Sequence, residues 1–172
     1  MNRGHGRNSC DEYKTWGKSR SNRFPNYDYS IDNPVHLAIC TKDKKTIFSV
    51  ENHAKVLIAE LLKAVDDLKF IILCYCLMPD HIHIIISPGN SGLPLSKFLN
   101  IFKGRTAAVF RTSFGVSELW QRSGFDHVIR AEEDLKTIIK YILNNPVRKG
   151  IAETAESYPY SKWFEEKTKS YL

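Results

Sequence analysis

Two histidines separated by one residue, His81 and His83, sit in the run Met78-Pro-Asp-His-Ile-His-Ile-Ile-Ile-Ser87. Its β-branched residues favour an extended backbone. Alternation along a strand sends both imidazoles to one face and sends Ile82, Ile84 and Ile86 to the other. Two neutral imidazoles side by side are half of a divalent metal site. A second segment, Tyr141-Ile-Leu-Asn-Asn145-Pro146, adds oxygen chemistry. Tyr141 and Asn145 are four positions apart, so on one helix they share a stripe. With that stripe facing the histidines, the site would hold two ring nitrogens, an amide oxygen and a phenol. Tyr141 is then a candidate nucleophile and Asn145 a third ligand. The donor set suits Mg²⁺ or Mn²⁺ with positions left for a phosphate, and its nitrogens also accept Zn²⁺ or Co²⁺.

The elements that must position these groups are readable from periodicity. A strand is expected over 35–41, ending at the polar turn 42–45. Ser49 reads as an N-cap, and Ile58, Leu61, Leu62, Val65 and Leu68 recur at helical spacing beyond it. Residues 70–77 form a continuous apolar strand, and Pro79-Asp80 turns it back into the histidine strand, 81–87. Leu95, Phe98, Leu99, Phe102, Ala107 and Phe110 mark a second helix ending near Ser113 or Gly115. Short extended stretches follow at 119–121 and 125–129. Glu132, Glu133 and Asp134 open a third helix with charges suited to its N-terminal dipole, and Pro146 is expected to end it. The order is βαββαβ, an α+β ferredoxin-like antiparallel sheet with helices on one face, plus a tyrosine-bearing helix.

The chain has 172 residues and is 42% hydrophobic, enough for one core without staples. Residues 1–25 are polar and basic with almost no aliphatics and read as a flexible tail. Residues 26–165 form one domain, and 166–172 a C-terminal tail. The net charge of +6 and the 12% aromatic content favour an anionic, base-stacking partner. Cys10, Cys40, Cys74 and Cys76 lack metal-type CxxC spacing. With no apolar run of membrane-spanning length and no apolar leader, a cytoplasmic location away from membranes is expected.

These residues resemble the REP-associated tyrosine transposases, a branch of the single-tyrosine HUH transposases. "HUH" denotes histidine, bulky hydrophobe, histidine, matched by His81-Ile82-His83 within Met78-Pro79-Asp80. Further matching blocks are Phe102-Lys-Gly-Arg-Thr106, Trp120-Gln-Arg122 with Asp126-His-Val-Ile-Arg130, and Tyr141-Ile142 followed by Asn145-Pro-Val-Arg148. The likeness runs over 27–163.

The resemblance implies a transposase that cleaves and rejoins single-stranded DNA beside hairpins through a 5′-phosphotyrosine. Tyr141 would be the nucleophile, and His81, His83 and Asn145 would hold Mg²⁺ or Mn²⁺. A phenol is a weak nucleophile near neutral pH, and attack loads charge onto the phosphate oxygens, which a cation offsets. The covalent link conserves the phosphodiester energy, in keeping with the lack of a GxxxxGK[ST] motif. Lys103, Arg105, Arg122, Arg130 and Arg148 are the expected DNA contacts, and His127 is expected to make a hydrogen bond. Both a monomer and a homodimer that exchanges the tyrosine helix accord with the resemblance. The residues alone also fit a non-catalytic single-stranded nucleic-acid-binding module or a metal-dependent phosphohydrolase that uses water.

Overall fold

The two most apolar runs pair as neighbours at the centre of an antiparallel sheet. The computed structural model describes residues 32–122, 125–129 and 134–172. Strand β1 is Val35–Cys40, helix α1 is Glu51–Asp67, and strands β2 and β3 are Ile71–Met78 and His81–Ser87. Helix α2 is Leu95–Phe114, strand β4 is Phe125–Val128, and helix α3 is Leu135–Leu143. Next come α4 (Asn145–Arg148), β5 (Ser161–Trp163) and α5 (Glu165–Thr168). The strand order is β4-β1-β3-β2-β5, all antiparallel. The first four strands and two long helices form the expected βαββαβ unit, and β5 adds a fifth strand on β2.

Register settles which side chains share a face. Ala38 stands opposite His83 and Cys40 opposite His81 on one side of β3, while Cys76 and Met78 oppose the same two histidines from β2. Leu37, Ile39, Ile82, Ile84, Ile86, Ile72 and Leu77 point the other way, into a core capped by α1 and α2. Phe98, Phe102 and Phe110 recur along α2 at helical spacing and are wholly buried there. A register shift between Ile72 and Cys74 lets Leu73 and Cys74 both turn toward the histidine face.

That second face is not fully open. Leu135, Ile139 and Ile142 of α3 pack on Leu73, Cys74, Cys76, Met78 and Ile85, joined by Tyr158. The Tyr158 hydroxyl donates to the Leu77 carbonyl at 2.6 Å. Tyrosine helix and imidazoles therefore lie on the same side of the sheet, and the two long helices lie on the other.

Several local expectations differ in detail. Helix α1 is preceded by Val50, and Ser49 closes a short 3₁₀ turn (Ile47–Ser49) instead of capping. Asp134 is the N-cap of α3 and not part of its first turn: its side chain accepts from the Lys136 amide, and the expected opening at Glu132 lies outside the described residues. Pro146 does not end the tyrosine helix. The break falls at Asn144, and Pro146 sits in the first turn of α4, where its missing N–H has no carbonyl to lose. The stretch 166–172, expected as a tail, carries most of α5 and a 3₁₀ turn (Lys169–Tyr171), with Thr168 buried and the Tyr171 hydroxyl on Asp32 at 2.6 Å.

Candidate active site

The histidine strand begins immediately after a two-residue turn, and that turn is clamped from below. The Thr41 amide and hydroxyl both donate to the Asp80 carbonyl, each at 2.9 Å, and the Phe48 amide donates to the Pro79 carbonyl at 2.9 Å. Thr41 is wholly buried, so these bonds have no competing water. The turn thus fixes where His81 starts.

His81 and His83 are both 4% exposed, and their Nε2 atoms face one another at 3.1 Å. The rings meet edge to face at 90°. At the other nitrogen of His81, Nδ1 lies 2.5 Å from the Asp80 carboxylate. Burial raises the Asp80 carboxyl, but the His81 hydrogen bond and charge, with the Lys44 ammonium, hold it below its ordinary value. Burial pushes His83 well below the usual histidine range, and the neighbouring His81 and His36 rings push it further. A His83 that stays neutral is a ready metal ligand. His36 of β1 completes a chain of contacts, its Nε2 lying 3.1 Å from His83 Nδ1.

Tyr141 is half-buried on α3, which packs against β2, the strand beside the histidines. Arg148 of α4 lies over its ring, 4.4 Å from guanidinium carbon to centroid. Asn145 is 8% exposed. Its Nδ2 donates to the Ile142 carbonyl at 3.0 Å and the Tyr141 carbonyl at 3.4 Å, so it caps α3 across the break. The amide nitrogen is thereby committed, and the carbonyl oxygen is the atom able to serve as a ligand. The structure thus makes two groups, His81 with His83 and Tyr141 with Asn145 and Arg148, on one side of the sheet.

The residues fit a divalent cation. Two nitrogens at right angles, each about 2.1 Å from a cation, are about 3.0 Å apart, and the observed Nε2 separation is 3.1 Å. Among the described residues no three His, Cys, Asp or Glu side chains are grouped to hold a metal. Among the described residues a further ligand to the histidines would be of another type, and an amide oxygen is one.

The sequence model of the family described as "Transposase IS200 like" matches residues 30–145, which hold both histidines, Tyr141 and Asn145. The chain belongs to that family. A Haemophilus influenzae relative, provisionally named a REP-associated tyrosine transposase, is 30% identical over 98 residues, covering 51% of this chain and 56% of its own. The REP-associated tyrosine transposase of Escherichia coli K12 is 28% identical over 103 residues, 59% of each chain. The match thus spans little more than half the length of these curated relatives. A REP-associated tyrosine transposase solved with a REP hairpin superposes with a TM-score of 0.68 at 20% identity, covering 84% of this chain and 83% of that one. That likeness bears on the fold, which this IS200-like chain shares. No helix among the described residues is long and apolar enough to cross a membrane.

The basic residues divide. Lys103 is half-buried, and its Nζ donates to the Gln121 carbonyl at 2.8 Å, tying α2 to the segment beside β1. Burial holds that ammonium below the usual lysine range. Arg105 pairs with Asp67 of α1 at 2.5 Å, in the helical layer away from the imidazoles. Arg122 is exposed, Arg148 stacks on Tyr141, and Arg130 lies outside the described residues. His127 stands opposite His36 in the β1–β4 register. His36 and Asp80 are the site residues that sequence reasoning missed. Asp80 directly precedes His81 and could have been suspected as its partner, whereas His36 gives no local signal.

Proposed function

We propose that this chain is a DNA strand transferase that cuts single-stranded DNA beside a hairpin and rejoins it through a 5′-phosphotyrosine. The observation that supports this best is the pair of facing Nε2 atoms on the sheet face that carries the tyrosine helix. In this reading His81, His83 and the Asn145 carbonyl oxygen hold a divalent cation, Mg²⁺ or Mn²⁺. When bound, it supplies a Lewis acid that offsets charge on the non-bridging oxygens of the scissile phosphate.

The chain's own residues do the rest. Tyr141 Oη forms a bond to phosphorus while the bond from phosphorus to the 3′-oxygen breaks. The phenolic proton leaves, and the departing oxygen gains one as a free 3′-hydroxyl. The reverse attack by a 3′-hydroxyl on the phosphotyrosine restores the tyrosine and a phosphodiester. Arg148, already against the Tyr141 ring, is placed to meet phosphate beside the nucleophile. Arg122 and Arg130 extend the same role, and Lys103 and Arg105 would contribute through the N–H donors not engaged with Gln121 and Asp67. Hairpin-bearing DNA is the proposed partner, in line with the hairpin held by the structural relative, and the cytoplasm is the proposed place of action.

Incubating the protein with Mg²⁺ or Mn²⁺ and labelled single-stranded hairpins tests this reading on a denaturing gel. A covalent protein to DNA band is expected from the wild type and none from Tyr141→Phe, which retains hairpin binding. An adduct formed by Tyr141→Phe at the wild-type rate removes the nucleophile. Cleavage with no adduct points to a water-using phosphohydrolase, and binding without cleavage to a non-catalytic module.

A further inference from the structure

The direction of the contact between His36 and His83 depends on the tautomers of the two rings, and ligation of a cation through His83 Nε2 would set it. A neutral imidazole carries one N–H, so a ring whose Nε2 offers a lone pair must keep its proton on Nδ1. His81 is held in that form by the Asp80 carboxylate on its Nδ1. His83 has a different partner at the equivalent position, the Nε2 of His36 at 3.1 Å. We propose that His36 is a positioning residue that accepts the Nδ1 proton of His83 and so fixes the tautomer and rotation that aim His83 Nε2 at His81. This inference rests on the metal centre proposed above.

Packing explains how His36 reaches its target. Residue 38 stands directly opposite His83 in the β1–β3 register, and it is alanine. Its single methyl leaves room for the His36 ring to lean diagonally across, giving centroids 5.2 Å apart and an interplanar angle of 31°. His36 is 1% exposed and His83 is 4% exposed, so water is a poor substitute at Nδ1. The contact engages Nδ1, not the Nε2 that faces His81, which makes His36 an orienting neighbour and not a third ligand. The absence of a three-residue His, Cys, Asp or Glu metal cluster among the described residues agrees. Outer partners of this kind typically change metal affinity by about 10–100-fold when removed.

The test uses the full chain labelled with ¹⁵N-histidine, and compares wild type with His36→Phe, His36→Gln and His83→Ala. His36→Phe keeps a buried ring without an acceptor, and His36→Gln places an amide oxygen near the position of Nε2. Long-range ¹H–¹⁵N spectra at a Mg²⁺ concentration that saturates the wild type report the His83 tautomer, and calorimetric titration with Mn²⁺ reports affinity. Expected are an Nδ1–H His83 in wild type and His36→Gln, partial Nε2–H character in His36→Phe, and Mn²⁺ binding about 10–100-fold weaker in His36→Phe alone of the two. An Nε2–H His83 in the wild type overturns the inference without any variant. So does a His36→Phe protein with unchanged tautomer or with Mn²⁺ affinity within twofold of wild type. Loss of Mn²⁺ binding in His83→Ala but not in His36→Phe refutes only the role of His36. Unchanged binding in His83→Ala refutes the metal centre itself.

Discussion

Replacing Thr41 with valine keeps the shape and β-branch of a wholly buried side chain and deletes one hydroxyl. That hydroxyl lies 2.8 Å from the Lys45 carbonyl and 2.9 Å from the Asp80 carbonyl. In Thr41→Val the Asp80 carbonyl keeps the Thr41-position amide, also at 2.9 Å. The Lys45 carbonyl loses the hydroxyl, but Lys45 is exposed and water can replace part of the bond. The expected loss is therefore about 1–2 kcal/mol, below the ~3 kcal/mol of a buried acceptor left without relief. At roughly 2–4 °C per kcal/mol for a chain of this size, Tm should fall by about 2–8 °C. Urea unfolding should show a lower midpoint with an unchanged m-value. A variant as stable as wild type, within about 0.5 kcal/mol, would refute the claim that this hydroxyl clamps the Pro79-Asp80 turn.

Acid should weaken the fold in two stages. Folded His83 titrates well below its ordinary value, so below about pH 6.5 the unfolded chain binds the extra proton and stability falls as pH drops toward the folded pKa. Asp80, held low by His81 and Lys44, adds a loss only below about pH 4; a urea midpoint that is flat from pH 7 to pH 5 contradicts the first stage. Gly89→Ala should lower Tm more than Gly115→Ala, although both glycines have positive φ, at 54° and 69°. An added Cβ at Gly89 meets Ile71 Cδ1 at 2.7 Å and one at Gly115 meets nothing within 4 Å, so equal losses would dismiss the steric contribution. Arg105→Ala should cost less than about 1 kcal/mol in chemical denaturation, because its pair with Asp67 is 39% exposed on both sides and screened. If Arg105 also neutralises a DNA phosphate, its loss lowers the salt slope of hairpin binding by about 1, and an unchanged slope assigns it to the scaffold alone.

Local periodicity carried most of the fold. The 70–77 apolar run, the Pro-Asp turn and the alternating histidine strand pair as expected because a two-residue turn fixes register by itself. Helix α2 is equally legible, since its phenylalanines repeat at helical spacing and Gly115 stops it in a left-handed conformation. Strand β5 was not legible: three residues contain too little pattern, and their pairing with β2 depends on a partner about 85 positions away. The Tyr141 and Asn145 stripe assumed one continuous helix. The helix breaks between them, and what keeps them adjacent is the side-chain cap from Asn145, a bond no wheel depicts. His36 stayed hidden because its contact spans 47 residues and exists only through the β1–β3 register. The internal partners of Lys103 and Arg105 are likewise tertiary, and charge alone could not separate them from Arg122.

Strand β5 has a temporal implication. It seals the outer side of β2, eight residues of which seven are buried, and it is encoded far downstream. At ribosomal speeds of about 5–20 residues per second, β2 waits roughly 4–17 s between its own emergence and that of its last neighbour. During that interval the nascent polypeptide exposes unpaired amides and carbonyls along a sticky ribbon. Cellular yield should therefore depend on whatever shields this ribbon while translation finishes.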